Sequence, residues 1–345
     1  MIQFEPLDFA SMEWREDAAT FPDRTIYQHP AWISFVAETQ RAKPVVAKLV
    51  DGNSTVGYFT GLTVRRFGFT VLGSPFPGWS TSYMGFHLRD GVRHGLAVEA
   101  LTQFAFRELG CAHVECMDRN VSMEDAPSLH CEYNIYRSFE VDLRPDEKKL
   151  LSNMAREKRT NLRKADKNGL TVEEATDAAF AEEYYAQHCE VFHRQGLTPS
   201  YSKARVQSLI RHLLPTGKLL LLRVRDADGN CIATNISLGE NKRGHVWGAA
   251  SWHQYQILRP NELIFWYTFR YWKARGVEFL DLTGNSDYKA RYGAYPIQLP
   301  WFHKSRYPLL SHLRDSAKQL VRLKHRLSSR WSAEAETPAH AVSHG

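Results

Sequence analysis

The 345-residue chain has few cysteines, and Cys111, Cys116, Cys131, Cys189 and Cys231 are scattered without any C-x-x-C spacing. An odd, dispersed set in a chain of this length excludes a disulfide framework and points to a reducing compartment, the cytoplasm. No apolar run approaches the ~18 residues that suggest a membrane span. The longest candidate, Leu219 to Leu222 with Val224, is flanked by Lys218 and Arg223 and has the length of a buried strand. The first residues lack a basic stretch followed by an apolar one, so they do not read as a secretory signal. Absent too are a Walker loop, an H-E-x-x-H pair and a G-x-S-x-G elbow.

What is present is an ordinary globular composition, 43% apolar and 24% charged. The length suffices for two domains, each with its own core. A formal charge of +6 favours anionic partners: nucleotide-linked substrates, RNA or an acidic membrane surface.

The chain says one thing twice. Val45 to Val50 and Val56 to Val64 read as strands joined by Asp51-Gly52-Asn53; Leu219 to Val224 and Cys231 to Leu238 are joined by Asp228-Gly229-Asn230. Short apolar runs around a D-G-N turn are a hairpin signal. In the first half a strand near Ser82 to Phe86 precedes a helix from Arg93 to Leu109, then Gly110 and a strand from Ala112 to Met117. In the second, His245 to Ala250 precedes a helix from Asn261 to Arg275, then Gly276 and a strand from Val277 to Leu282. Both glycines suit the left-handed C-cap position, and each following strand suits a parallel neighbour. Turn and cap glycines stand 58 residues apart in the first half and 47 in the second; the excess reads as a loop-rich insertion around Phe67 to Phe69 and Gly73 to Trp79. The alternative is one large mixed sheet whose hairpins resemble each other by chance.

Between the halves, Arg144-Pro145-Asp146-Glu147 predicts a helix start, running to Asn168-Gly169. Leu150, Leu151, Met154, Leu162 and Ala165 form its apolar face, while Arg156, Lys158, Arg159, Arg163, Lys164 and Lys167 make it basic. That face is either simply solvated or a phosphate-binding surface. Residues 308–330 read as a basic amphipathic helix that packs on the body or touches an acidic membrane. Residues 331–345 read as a disordered tail.

The stretch Gly276-Val277-Glu278-Phe279-Leu280-Asp281-Leu282-Thr283-Gly284, followed by Asp287-Tyr288-Lys289-Ala290-Arg291-Tyr292-Gly293, resembles the FemAB-like and CelD-like branch of the GNAT superfamily. That branch carries a helix ending in Gly, a strand ending in Asp, a Gly-containing loop and a Y-K-x-x-[FY]-G motif. Arg159, Lys164, Ala165 and Gly169 resemble its R-x-x-[IL]-x-[KR]-A-x-x-x-G segment, and Trp252 to Pro260 with Glu262-Leu263 its strand-loop-Pro-helix segment. The likeness covers residues 25 to 305. It implies an α/β (α+β) fold of two tandem GNAT-like domains, each a mixed twisted sheet flanked by helices: 1–140, degenerate, and 141–307, catalytic. FemAB proper uses aminoacyl-tRNA on peptidoglycan precursors; other branches are acetyltransferases of exopolysaccharide or cellulose production. One departure is plain. The stretch from Trp252 to Pro260 has no glycine, where CoA-binding GNAT enzymes place a Gly-rich loop before the helix.

The implied activity is acyl transfer, which needs a held carbonyl, a deprotonated nucleophile and a stabilised oxyanion. Lys289 is the expected oxyanion partner and Asp281 the expected base or orienting group. Tyr288, Arg291, Trp252 and Tyr255 are the expected substrate contacts; Arg259, Asn261 and Arg159 the donor contacts. No cofactor is expected to be tightly bound. Acyl-CoA, acetyl-CoA first, is the expected co-substrate, with aminoacyl-tRNA as the alternative. The acceptor is a small molecule or glycan precursor carrying an amine or hydroxyl. Neither DNA nor metal is expected: His188, Cys189 and His193 share one predicted helix, but no nearby spacing supplies further ligands. A scaffold without catalysis is the third reading.

Overall fold

The computed structural model describes residues 2–66, 68–121 and 129–307. The predicted basic helix 308–330 and the tail 331–345 lie outside the described residues.

Two runs of elements follow one plan. The first comprises β1 (Gln3–Leu7), α1 (Met12–Ala19), α2 (Pro30–Gln40), β2 (Lys43–Asp51), β3 (Ser54–Arg66), β4 (Phe69–Ser74), the short β5 (Phe86–Leu88), α3 (His94–Gln103), β6 (His113–Met117) and β7 (Glu132–Asp142). Two helices, α4 (Glu147–Asn153) and α5 (Arg156–Lys167), lead into the second run. It comprises β8 (Thr171–Glu174), α6 (Phe180–His193), α7 (Lys203–Leu213), β9 (Leu219–Arg225), β10 (Cys231–Glu240), β11 (Arg243–Ser251), α8 (Pro260–Ala274), β12 (Phe279–Asp281) and β13 (Tyr295–Ser305). In each run three antiparallel pairings are followed by a parallel one, β4 with β6 and β11 with β12. The helix between the parallel partners ends in the predicted cap glycine, with φ of +63° at Gly110 and +81° at Gly276.

The runs fuse into one sheet of order β1-β2-β3-β4-β6-β13-β7-β12-β11-β10-β9-β8, with β5 on β3. Their last strands are exchanged: β13 pairs with β6 of the first run, and β7 pairs with β12 of the second. β13 and β7 also pair with each other, from Tyr295↔Glu140 to His303↔Glu132. Along β7 the side chains alternate. Phe139 and Val141 pack with Leu280, Val246 and the α8 residues Ile264, Phe269 and Trp272, each worth about 1.5–3 kcal/mol when fully buried. Ser138 and Glu140 point to the opposite face, as strand period dictates. There α2, α6 and α7 cover the flanks of the sheet with a shared core of Trp32, Phe35, Tyr184, Leu209 and Trp247.

Four expectations need correction. The predicted insertion around residues 67–79 contains strand β4, because Phe69 to Ser74 continue the hairpin from β3 and then pair with β6. The strand expected near Ser82 to Phe86 starts only at Phe86; the stretch before it is held by other bonds, Gln28 Nε2 donating to Met84 O (2.6 Å) and Gly85 N to Ser74 Oγ (3.1 Å). The strand from Val277 to Leu282 shortens to Phe279–Asp281, since Leu282 N already donates to Phe139 O (2.8 Å). The single helix from 146 to 168 is two, broken at Met154, whose ψ is 146°. There Ala155 N donates to Arg291 O (2.9 Å) while the Arg159 guanidinium caps Ser152 O and Met154 O (2.9 and 2.8 Å). A distant loop thus competes successfully with local helix propensity.

Candidate active site between two parallel strands

β11 and β12 lie side by side only from Arg243↔Phe279 to His245↔Asp281, yet β11 continues to Ser251. Opposite β10 the register skips Trp247, so β11 carries a bulge just past the end of that ladder. A bulge bends its strand. The result is a wedge between β11 and the chain leaving β12.

That chain turns sharply. Thr283 has φ of +48° and Gly284 +79°; for a β-branched residue the left-handed region is a strained state. Two hydrogen bonds hold it, Thr283 N to Asp281 Oδ1 (2.7 Å) and Thr283 Oγ1 to Val246 O (2.7 Å). Backbone strain secured in this way clusters at functional sites.

Asp281 is fully buried. Its Oδ1 also accepts from Ser138 Oγ (2.5 Å), while Oδ2 has no hydrogen-bond partner among the described residues. Burial pushes its carboxyl up to about 6, against the Ser138 and Thr283 hydrogen bonds. His245 Nδ1 lies 4.0 Å from Oδ2. Burial, with the charges of Arg119 and Arg243, holds that imidazole far below its usual range. His245 is therefore neutral and the 4.0 Å approach is not an ion pair. Tyr27 packs on its ring at 4.4 Å between centroids.

Lys289 lies in the 3-10 turn Asp287–Tyr292 and is half-buried over Gly284, where a β-carbon would stand 3.1 Å from Nζ. Burial lowers its pKa, and the Asp281 charge works against that shift. Among the described residues its ammonium meets no carboxylate within ion-pairing distance. The fold thus brings Lys289 and Asp281 together around one turn.

The other expected residues stand around the N-terminal end of α8. Tyr288 accepts a hydrogen bond from Lys158 Nζ, which lies 4.2 Å from the centre of its ring. Arg291 pairs with Glu157 at 3.1 Å in solvent. Trp252 closes β11 through Trp252 N to Ile232 O (3.1 Å), and Tyr255 packs on the α8 core. Arg259 is left-handed at φ +68° and precedes Pro260; its Nε is buried without a partner among the described residues, and Asn261 is half-buried in the first turn. Arg159, besides capping α4, lines a groove of about 410 Å³ between α5 and α8 with Leu162, Leu263, Trp266 and Arg270.

Lys158, counted above among the residues of the basic face, turns inward instead. It is 1% exposed and pairs with Glu262 of α8 at 2.6 Å, beneath Tyr288 and Tyr292. The signal was there: Lys158 falls on the apolar stripe Met154, Leu162, Ala165 of a helix otherwise charged outward. Ser138, Glu140, Arg119, Arg243 and His245 were missed, because no local spacing marks them. His188 of the Cys189–His193 helix is an aromatic core residue, stacked 4.5 Å from Tyr201 and lowered by burial to about 4. Among the described residues no group of three or more His, Cys, Asp or Glu could hold a metal ion.

Residues 152–290, which contain the wedge, the strained turn and Lys289, match the family model described as an acetyltransferase (GNAT) domain. The second run, which holds most of that stretch, is thus similar to GNAT acetyltransferase domains. The crystal structure of FemX is similar over 90% of this chain and 99% of its own, with a TM-score of 0.71 and 13% identity. A conserved protein of unknown function from Bacteroides thetaiotaomicron covers 89% and 100%, at TM-score 0.58 and 13% identity. A tandem GNAT protein from the clavulanic acid biosynthesis pathway covers 89% and 99%, at TM-score 0.52 and 11% identity. At these identities the likeness is one of fold, and fold does not carry function. No curated protein matches the sequence. Among the described residues no helix of the chain is long and apolar enough to cross a membrane.

Proposed function

We propose that this protein moves an acyl group, acetyl in the simplest case, from a thioester donor lying in the β11–β12 wedge to an amine or hydroxyl of a sugar or cell-envelope precursor, such as an exopolysaccharide unit. The observation that carries this reading is the Lys289 ammonium, half-buried and without a carboxylate partner, held over a strained turn beside the wedge. In the reaction the acceptor attacks the thioester carbonyl, the C–S bond breaks, and the acceptor's proton ends on the departing thiolate. Lys289 stabilises the oxyanion of the tetrahedral intermediate. Asp281 holds the turn through Thr283 N and supplies the nearby negative charge; with its carboxyl at about 6 it also serves as proton acceptor for the nucleophile. Arg259, Asn261 and the groove edge at Arg159 take the donor, while Trp252, Tyr255, Tyr288 and Arg291 border the acceptor. The second run carries the chemistry, and the first supplies the facing wall. The cytoplasm is the compartment that suits a thioester donor and unpaired cysteines.

A second reading, aminoacyl transfer from tRNA, draws on a specific feature of α8. Its first turn has no glycine, and it carries Glu262 in a buried ion pair with Lys158, which fills space a pyrophosphate would want. Thermal shift against acetyl-CoA, longer acyl-CoAs and free CoA, with retention of aminoacyl-tRNA alongside, separates the two. A ligand at a hundredfold excess over Kd stabilises the fold by about 2.7 kcal/mol. A shift with acyl-CoA that weakens in Arg259→Ala supports the thioester donor. Retention of charged tRNA without such a shift transfers the case to the second reading; silence in both leaves a non-catalytic scaffold.

A further inference from the structure

The seam between the two runs holds a second polar centre beside Asp281. Glu140 of β7 pairs across the ladder with both Asp281 and Tyr295. Directly opposed residues place their β-carbons about 4.5–5.5 Å apart, so Glu140 stands one strand from the strained turn over which Lys289 lies. Its carboxylate is 2% exposed and saturated with donors. Arg119 Nη1 and Arg243 Nη1 each donate to Oε2 at 3.0 Å, and Tyr295 OH donates to Oε1 at 2.7 Å. Arg119 follows β6 of the first run, and Arg243 opens β11 of the second, so each run contributes one guanidinium to a shared centre.

Two cations meet on Glu140, and the Asp281 carboxylate directly opposite it balances the second charge. Neither guanidinium is engaged by its full fork: Arg119 Nη1 also reaches Tyr83 OH (2.9 Å), while its Nη2 and that of Arg243 meet no partner among the described residues. Both side chains keep partial exposure, 15% and 23%, and each lies over an aromatic ring, Tyr83 at 5.2 Å and Phe279 at 4.9 Å. Stacked, partly desolvated guanidinium forks with spare donors are the geometry that takes a planar carboxylate or a phosphate.

We propose that Arg119 and Arg243 form an oxyanion subsite that binds the acceptor, so that the acceptor is a small molecule carrying a phosphate or carboxylate a few bonds from its nucleophilic amine or hydroxyl. The short reach follows from the adjacency of Glu140 and Asp281. This assignment rests on the acyl-transfer reading for the word acceptor, but the subsite itself is measurable with no donor present. Arg119 and Arg243 here determine specificity and take no part in bond making.

The test is binding of inorganic phosphate and of acetate to the full chain at constant ionic strength held with chloride, followed by thermal shift and calorimetry. The wild type is expected to bind one of the two anions saturably. Arg243→Met should weaken that binding about tenfold or more, the scale of a lost charged hydrogen bond. Glu140→Gln keeps both arginines and removes the competing charge, so it should bind the anion more tightly than wild type. That variant keeps the test decisive if Arg243→Met fails to fold. Tighter phosphate binding identifies a phosphorylated acceptor and tighter acetate binding a carboxylated one, and either supports the subsite. Equal anion binding by wild type and Arg243→Met, or no gain in Glu140→Gln, overturns it. Anion binding without any acyl transfer would leave the subsite standing and remove the proposed reaction instead.

Discussion

The first run of the fold fills the place that the second leaves open. β4 is paired with β6 to its last residue, Ser74↔Cys116, whereas β11 runs on to Ser251 after its ladder with β12 has ended at His245↔Asp281. After β4 the chain folds back on itself. The Phe76 ring packs on Gly73, where any β-carbon would collide with it, and Ser74 Oγ donates to Thr60 O (2.6 Å) while accepting from Gly85 N (3.1 Å). Counted from the cap glycines, Glu115 and Asp281 occupy the same place, five residues on. Glu115 lies 3.0 Å from His113 Nε2 on its own strand, and the other imidazole nitrogen meets Ser305 Oγ at 2.8 Å. Asp281 instead anchors a strained turn beside a neutral histidine. One scaffold, used twice, gives a closed seam and an open one, and the difference lies in the segments after the strands.

The contrast can be broken at several points. The largest effect is expected from Lys289→Met, which should lower acyl transfer by about 10²–10³-fold, the cost of one oxyanion donor. Its melting temperature should stay close to wild type, and retained turnover would remove the open seam from the chemistry. Next, Lys158→Met leaves Glu262 buried without its partner and should destabilise by about 3–5 kcal/mol in urea titration. Adding Glu262→Gln should recover part of that loss, since no charge is then left uncompensated. Phe76→Ala removes the ring that folds back over Gly73 at the end of the first ladder. The half-buried ring should cost about 2 kcal/mol, below the range for a fully buried phenylalanine, and leave transfer per folded molecule unchanged. A change in rate would show that the first run takes part.

The smallest effect is on pH dependence. The Asp281 carboxyl is raised in the fold to about 6 from an ordinary 3.8. Its contribution to stability is therefore present below about 3.8 and lost as pH rises through about 6. Asp281→Asn should melt no lower than wild type at pH 7.5 and lose that advantage at pH 4. If the ionised form serves the reaction, the wild-type rate should climb through about pH 6 and the variant should show no such limb.

Much of this plan is legible in the sequence. The two D-G-N hairpins, the cap glycines at 110 and 276, and the strand ending at Asp281 followed by Tyr288-Lys289 all rest on local rules, because turns, caps and short apolar runs are decided by residues near in sequence. The grouping of Lys289 with Asp281 follows from their closeness in the chain. Other parts were out of reach. β7, as Glu132-Tyr133-Asn134-Ile135-Tyr136-Arg137, and β13, with Pro296 and Pro300, carry weak strand patterns, and their stability comes from pairing with each other across more than 150 residues.

The sequence alone therefore determined the repeated unit, its turns and the motif at the end of the second repeat, through short-range backbone preferences and apolar periodicity. Only the tertiary structure decided that the last strands are exchanged. That exchange sets Glu140 beside Asp281 and lets Arg119 of one run meet Arg243 of the other. It also decided that Phe76 folds back over Gly73 at the end of one ladder while β11 runs on past the other, and that Lys158 points inward. Each of these depends on which distant groups must be paired once water is excluded, and a buried charge or ladder edge finds its partner by position in space, whatever its distance along the chain.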